Sequence, residues 1–264
     1  MIVAGIDIGS ETAKAVLLND DIIASKVIPI EEEARYVAAR VLREAIKKAG
    51  LNPAEIGKIV VTGLDKKDWE MADESITEVS CAVKGAFALF PNARTIINMG
   101  AESCIVARCD ENGLLVDYAI NHKCGSGSGI FLEIAAKALE VDIEQMGELS
   151  LESKNNIEMT STCAVFAESE VVSFIHNGVK KEDIIKAIHD SLASRTASMV
   201  KSVGLEQDVI FIGGVSRNMG MAEALSRQLE AKVLVPEEPE TVVAFGAALA
   251  AKEILNAQAK SPRK

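Results

Sequence analysis

The sequence predicts an α/β protein of two domains, each with a mixed β-sheet flanked by helices. Three consecutive strand-like segments open each half of the chain: 2–10, 12–18 and 22–30, then 95–100, 104–109 and 114–121. The segment Pro-Asn-Ala-Arg at 91–94 separates the two runs and favours a domain switch there. The predicted domains are residues 1–92 and 93–257, followed by a disordered tail over residues 258–264.

The segments between and after these strands show two patterns. Apolar residues at helical spacing predict helices, and short continuous apolar runs predict buried strands. Gly50 and Gly178 follow two of the helical runs, where glycine commonly ends a helix. The predicted helices are 31–50, 76–90, 128–139, 164–176, 181–203 and 240–254. The further predicted strands are 56–63, 208–212 and 232–236.

Composition and charge narrow the class of protein. Of 264 residues, 48% are hydrophobic and 25% are charged, as in an ordinary globular protein with a substantial core. The net charge of −11 argues against binding to nucleic acid or to an anionic membrane surface. The sequence predicts no signal peptide and no membrane span, and an odd count of five cysteines does not suggest a disulfide scaffold. We therefore expect a cytoplasmic protein.

The turn between the first two strands has the pattern of a phosphate-binding hairpin, Asp7-x-Gly9-Ser10. The Asp7 carboxylate can reach a hydrated Mg²⁺, while N–H groups and hydroxyls of the turn contact the β- and γ-phosphates of a nucleotide. Taken alone, the pattern also fits an ordinary hairpin, and the later motifs favour the phosphate loop. Asp7 is the candidate catalytic residue. The candidate nucleotide contacts are Gly9, Ser10, Glu11, Thr12 and Lys14.

A second strand–turn–strand unit repeats this theme, so the chain contains a degenerate duplication of one hairpin. Its turn lies between the strands 95–100 and 104–109. Gly100 and Ala101 are candidate nucleotide contacts, and Glu102 is a candidate catalytic carboxylate.

Two glycine-containing segments near the C-terminus suggest an adenosine site. Gly213 and Gly214 follow a buried strand, and their lack of side chains allows close approach of a purine and ribose. Asn218 completes the pattern Gly-Gly-x-x-x-Asn. Gly246 lies in a small-residue stripe that permits tight helix contact near the nucleotide. These four residues are further candidate nucleotide contacts.

Two cysteines, Cys124 and Cys163, each stand in a small, polar segment where a helix begins. Helix N-termini favour thiolates, and two cysteines from each subunit of a dimer would supply the four thiolates of a [4Fe–4S] cluster. Two half-buried structural cysteines fit the spacing equally well, because neither residue lies in a C-x-x-C motif. The remaining cysteines are interpreted as packing residues: Cys81, Cys104 and Cys109.

The two cysteine segments together resemble a known family. Lys-Cys-x-x-Gly-x-Gly-x-Phe-Leu-Glu at 123–133, followed by Ser-Thr-Cys-x-Val-Phe-Ala-Glu-Ser-Glu-Val at 161–171, is similar to the BadF/BadG/BcrA/BcrD ATPase family. That family includes activators of 2-hydroxyacyl-CoA dehydratases and ATPase subunits of benzoyl-CoA reductase. It lies within the superfamily of actin, sugar kinases and heat-shock chaperone ATPases, and the resemblance covers nearly the whole chain.

The resemblance implies two actin-like (ribonuclease H-like) domains with a nucleotide cleft between them. It also implies that Cys124 and Cys163 from each of two subunits hold one [4Fe–4S] cluster, in a homodimer or a paralogous heterodimer. The expected function is ATP-dependent, low-potential electron donation, with Mg²⁺ and ATP/ADP, to an acyl-CoA dehydratase or reductase component. Reduced ferredoxin or flavodoxin is the expected electron source.

The second hairpin turn departs from the family pattern. Activators carry Asp-x-Gly-Gly-Gln-Asp where this chain has Asn98, Ala101, Glu102 and Ser103 at the corresponding positions. Asn98 lacks the charge that would hold Mg²⁺ or orient a water, and Glu102 is the candidate replacement. Two alternatives stay open. A small-molecule (sugar-type) kinase of the same superfamily would carry a catalytic Asp in this turn, where Asn98 and Glu102 stand instead. A nucleotide-binding regulatory subunit that does not hydrolyse ATP is consistent with Asn98.

Overall fold

The computed structural model describes residues 1–64, 71–122, 128–159 and 164–260. The chain divides into two compact units. The first unit comprises Met1–Pro91, Asp110–Leu115 and Glu240–Lys264, and the second comprises Asn92–Cys109 and Val116–Pro239.

Most elements lie where the sequence predicts them. The strands are β1 (Ile2–Ile8), β2 (Thr12–Leu18), β3 (Ile22–Pro29), β4 (Ile56–Gly63), β5 (Glu74–Ser75), β6 (Thr95–Met99), β7 (Cys104–Cys109), β8 (Leu115–Asn121), β9 (Val209–Ile212) and β10 (Val233–Leu234). The helices are α1 (Ala34–Ala49), α2 (Glu78–Leu89), α3 (Gly129–Leu139), α4 (Met146–Leu151), α5 (Ala164–His176), α6 (Lys181–Val203), α7 (Met219–Leu229) and α8 (Val242–Lys260). None of these helices is long and apolar enough to cross a bilayer. The two-residue strand β5 is not predicted, because so short a segment has no periodicity to recognise.

The two sheets repeat one arrangement. Their strand orders are β3-β2-β1-β4-β5 and β8-β7-β6-β9-β10. In the first sheet β1 pairs antiparallel with β2 and parallel with β4; in the second, β6 pairs antiparallel with β7 and parallel with β9. Both sheets are therefore mixed and flanked by helices, which confirms the predicted α/β class and the duplication of the hairpin.

The two faces of β1 meet different helices, since successive side chains of a strand alternate. Ala4, Ile6 and Ile8 belong to a buried core that includes the apolar side of α1. Gly5, on the opposite face, lies directly against α8, where a Cβ would overlap backbone atoms of Ala244 and Ala248. Asp7 shares this second face of the strand.

The core of the second unit lies between its sheet and its helices. It joins Ile97 and Met99 of β6 and Phe211 of β9 to buried residues of α3, α6 and α7. Helix α6 contributes an apolar stripe that includes Ile184 and Leu192, both without exposed surface.

Helix α8 packs within the first unit, although residues up to 257 are predicted to belong to the second domain. The reason is a set of close contacts that only small residues permit. A Cβ on Gly246 would overlap the Cys81 carbonyl of α2, and a Cβ on Gly85 would overlap the Val242 carbonyl. The predicted disorder from residue 258 onward is wrong for residues 258–260, which extend this helix. Residues 261–264 lie outside the described residues.

Candidate nucleotide site

The turn between β1 and β2 holds a largely buried ion pair. The Lys14 ammonium lies 3.5 Å from Oδ2 of Asp7 and donates to the Thr12 carbonyl at 3.3 Å. The Gly9 N–H donates to the same carbonyl at 3.0 Å, which closes the turn. Glycine suits this position, because a Cβ would lie 3.1 Å from the Thr12 carbonyl oxygen and 3.2 Å from Lys14 Nζ.

Burial and charge act in opposite directions on Asp7. The residue is 5% exposed, and burial raises the pKa of its carboxyl group while the Lys14 ammonium lowers it. Each member of the pair has an alternative partner in nucleotide chemistry, since ammonium groups bind phosphate and carboxylates bind hydrated Mg²⁺. Ser10 is partly accessible at the tip of the turn and Glu11 is exposed. The turn can therefore receive the phosphates and the cation of a nucleotide.

The turn between β6 and β7 closes in the same way. The Gly100 N–H donates to the Ser103 carbonyl at 2.9 Å. Asn98 is buried on β6, whereas Ala101 is half-buried and Glu102 is exposed at the tip of the turn. The position of Glu102 leaves its carboxylate accessible to a ligand, and its catalytic role stays a prediction.

Gly213 brings the Gly-Gly segment against the second turn. Its φ is +89°, a conformation that favours glycine. A Cβ on Gly213 would lie 2.7 Å from Oδ1 of Asn98 and would overlap the Met99 carbonyl. At Gly214, by contrast, a Cβ would meet no described atom within 4 Å. The Gly-Gly segment thus lies beside the end of β6, just before the turn that is the predicted second phosphate loop (residues 100–103).

The Asn218 side chain is directed into the second unit. Its Oδ1 accepts the Met221 N–H at 3.0 Å and caps α7, and its Nδ2 donates to Nε2 of His189 at 3.0 Å. Both ends of the amide are therefore engaged in holding the loop. An asparagine directly before an apolar helical run is an N-cap signal, so the sequence could have suggested this role. Contact between Asn218 and a nucleotide stays a prediction.

His189 is the buried partner of this cap. The residue is 1% exposed on α6. Because Nε2 accepts from Asn218, the imidazole proton lies on Nδ1, which has no hydrogen-bond partner among the described residues. Burial lowers the pKa of His189 to about 4; the neighbouring Asp190 carboxylate raises it and Arg227 lowers it. The imidazole is consequently neutral near neutral pH.

We expect the free energy of unfolding to fall as the pH decreases from about 6.5 to about 4. In this window the unfolded chain binds a proton at His189 and the folded chain does not, so protonation favours unfolding. The contribution lost is about 3 kcal/mol, at roughly 1.4 kcal/mol per pKa unit. Urea denaturation at several pH values would measure it, with His189→Gln as the control that cannot titrate. The same pH dependence in both proteins would contradict the prediction.

The two candidate cluster ligands, Cys124 and Cys163, lie outside the described residues. The described cysteines are all in buried positions: Cys81, Cys104 and Cys109. Burial raises the pKa of the Cys104 thiol to about 12, although a hydrogen bond with Thr196 lowers it. Among the described residues no group of three or more His, Cys, Asp and Glu could hold a metal ion. The role of Cys124 and Cys163 as cluster ligands stays a prediction.

The start of α3, which follows the Cys124 segment, is hydrogen-bonded to the turn between β6 and β7, the predicted second phosphate loop. The Gly129 N–H donates to the Gly100 carbonyl at 2.9 Å, and the Ile130 N–H donates to the Ala101 carbonyl at 2.8 Å. A Cβ on Gly129 would lie 3.1 Å from the Gly100 carbonyl oxygen, so the contact is close. A shift of the loop would therefore be transmitted to the first turn of α3.

The remaining candidates belong to the first unit. Gly246 makes the predicted tight helix contact, because it lies against α2. Contact between Gly246 and a nucleotide stays a prediction. Thr62, which lies next to Asp7 in the strand register, is not among the residues predicted from the sequence. A threonine in an apolar strand has no sequence signal that distinguishes it from a packing residue.

Comparison with known proteins identifies a family over most of the chain. The model described as "BadF/BadG/BcrA/BcrD ATPase family" matches residues 4–251. The 2-hydroxyisocaproyl-CoA dehydratase activator of Clostridioides difficile is 40% identical over 251 residues, which cover 94% of this chain and 94% of the activator. A benzoyl-CoA reductase subunit of Thauera aromatica is 30% identical over 251 residues, covering 92% and 86% of the two chains.

Solved structures agree with this similarity. The activator of the 2-hydroxyisocaproyl-CoA dehydratase from Clostridium difficile with bound ADPNP superposes with a TM-score of 0.93 at 38% identity, covering 100% of this chain and 99% of that one. A ROK family glucokinase from Streptomyces griseus has a TM-score of 0.60 at 14% identity, over 96% of this chain and 100% of the kinase. The latter likeness shows a shared fold alone.

Proposed function

Because this chain belongs to the BadF/BadG/BcrA/BcrD ATPase family, we propose that it is an ATP-dependent, low-potential electron donor to an acyl-CoA dehydratase. Its relatives include a dehydratase activator and a component of benzoyl-CoA reductase, and a reductase component is the alternative acceptor. The active form is a homodimer or a heterodimer of paralogues. Reduced ferredoxin or flavodoxin supplies the electrons.

The observation that carries this proposal is the attachment of α3 to the second phosphate loop. Two backbone hydrogen bonds, Gly129 N–H to Gly100 (2.9 Å) and Ile130 N–H to Ala101 (2.8 Å), connect the nucleotide loop to the helix that follows Cys124. A nucleotide-dependent change in this loop would move the cysteine segment, which is what coupling between ATP and electron transfer requires.

The nucleotide-binding part of the proposal assigns a role to each loop. Asp7 orients hydrated Mg²⁺, and Lys14 with the N–H groups of the first turn binds the phosphates. Gly213 and Gly214 admit the adenosine. Glu102, exposed at the tip of the second turn, supplies the carboxylate that Asn98 lacks.

The cysteines hold the cluster in this proposal. Cys124 and Cys163 of each subunit provide four thiolates, and the starts of the helices behind them favour negative charge. When bound, a [4Fe–4S] cluster supplies a one-electron redox couple. The protein contributes its ligands and, through α3, a mechanical connection to the nucleotide loop.

The proposal predicts about four irons and four sulfides per dimer in protein purified and reconstituted without oxygen. The iron content, with absorption spectra before and after dithionite, measures this. Cys124→Ser and Cys163→Ser should each lose most of the iron. Cys109→Ala is the matched control, because Cys109 is buried and should leave the iron content unchanged.

Other outcomes would favour the alternatives. A well-folded dimer that binds ATP but no iron would overturn electron donation. Phosphorylation of a sugar by iron-free protein would point to a kinase. ATP hydrolysis by the iron-loaded protein without any added substrate would argue against both a kinase and a regulatory subunit.

A further inference from the structure

Thr62 carries a buried hydroxyl group to which no described residue is hydrogen-bonded. The residue has no exposed surface, and its Oγ1 has no partner among the described residues. An unmade hydrogen bond in a protein interior destabilises the fold, whereas valine would fill the same space without this cost. A threonine here therefore calls for an explanation beyond packing.

The strand register places Thr62 beside the ion pair of the first turn. On the two sides of β1, Asp7 is in register with Lys14 of β2 and with Thr62 of β4. Residues in register on neighbouring strands share one face of the sheet, about 5 Å apart. Lys14, Asp7 and Thr62 thus form a row across three strands, with the carboxylate in the middle.

The end of β4 is held firmly against β1. Gly63 has φ of +90°, and a Cβ there would overlap the Ile8 carbonyl. The Leu64 N–H donates to that same carbonyl at 2.7 Å. These contacts fix the backbone directly after Thr62 and Asp7, so only the Thr62 side chain has to rotate for its hydroxyl to gain a partner.

We propose that Thr62 is a positioning residue of the nucleotide site, whose hydroxyl donates to the Asp7 carboxylate when a phosphate draws the Lys14 ammonium away. In the structure Lys14 contacts Asp7 at 3.5 Å. A nucleotide phosphate competes for that ammonium, and Asp7 then needs a donor that does not neutralise its charge. The Thr62 hydroxyl supplies this hydrogen bond and keeps the carboxylate directed at Mg²⁺. The inference rests on the proposed nucleotide function.

The test compares Thr62→Val, which removes the hydroxyl, with Thr62→Ser, which keeps it. Thr62→Val is expected to unfold at the same or a higher urea concentration than the parent. The fall in its kcat for ATP hydrolysis and the rise in the Mg²⁺ concentration for half-maximal activity should together amount to about tenfold to a hundredfold, because a hydrogen bond to a charged group is lost. Thr62→Ser should restore most of the activity.

A second buried threonine serves as the matched control. The Thr196 hydroxyl donates to the Leu192 carbonyl at 3.0 Å, so Thr196→Val should lower the urea midpoint and leave the Mg²⁺ dependence unchanged. A double-mutant cycle with Asp7→Asn, read out as nucleotide affinity, gives an independent measurement. Thr62→Val should have little further effect once Asp7 has lost its charge.

Several results would overturn the inference: parental kcat and Mg²⁺ dependence in Thr62→Val, equal losses in the valine and serine variants, or additive effects in the cycle. These three results would leave the proposed function intact, because that function is tested separately by the iron content of the parent protein. A parent protein that binds no nucleotide would overturn both.

Discussion

Replacement of Gly213 by alanine is expected to destabilise the second unit by about 3 kcal/mol and to abolish tight nucleotide binding. Gly213 has φ of +89°, and a Cβ would collide with the Met99 carbonyl and approach Oδ1 of Asn98 to 2.7 Å. Both neighbours are part of β6, so the collision would push the Gly-Gly segment away from the second phosphate loop. Urea denaturation and the affinity for a fluorescent ATP analogue measure the two effects.

Gly214→Ala is the matched control for this prediction. The two glycines are adjacent, yet a Cβ on Gly214 meets no described atom within 4 Å. Its stability should stay within about 1 kcal/mol of the parent, as for most substitutions without a specific contact. Equal stability of the two alanine variants would show that close approach at Gly213 does not hold the loop.

Asp7→Asn is expected to reduce ATP hydrolysis by at least about a hundredfold, because it removes the carboxylate that we propose orients hydrated Mg²⁺. The fold should survive the change, since burial already disfavours the charged form of Asp7 and asparagine retains an oxygen acceptor for Lys14. Steady-state hydrolysis over a range of Mg²⁺ concentrations, together with the urea midpoint, measures both consequences.

The control for Asp7 is a second aspartate of the same unit. Asp20 follows β2, its side chain is 90% exposed, and it lies 3.2 Å from Lys252. Asp20→Asn should leave hydrolysis unchanged, because surface ion pairs contribute little. A parental rate in Asp7→Asn, or equal losses in the two variants, would contradict a role for Asp7 in catalysis.

Local patterns predicted the strands and turns well. Asp7-x-Gly9-Ser10 marks the first hairpin, and the repeat after residue 94 forms the equivalent turn in the second sheet. The domain of α8 was not predictable from its position in the sequence. The helix follows the second unit along the chain but packs in the first unit. The contacts that bring it there, at Gly5 and Gly246, depend on a helix and partners distant in sequence.

The positions of the turns were predictable from the sequence, whereas the roles assigned to their residues stay predictions. Gly9 and Gly100 lie in the two hairpin turns, and Gly213 follows β9 with a positive φ that favours glycine. The orientation of a side chain is different: nothing in the sequence shows that Asn218 points toward His189, or that the Thr62 hydroxyl is buried without a partner among the described residues. Both facts depend on the register and packing of elements far apart in the chain.

The position of α8 has a consequence for synthesis of the protein on the ribosome. All segments of the second unit, up to Pro239, precede α8, so the face of β1 opposite α1 lacks its covering helix until residues 240–260 emerge. At a typical elongation rate, roughly ten to forty seconds pass between the synthesis of β4 and the synthesis of α8. During that time the face of β1 that carries Gly5 stays uncovered and accessible to chaperones. The half of the protein that is made first is thus the half that is completed last.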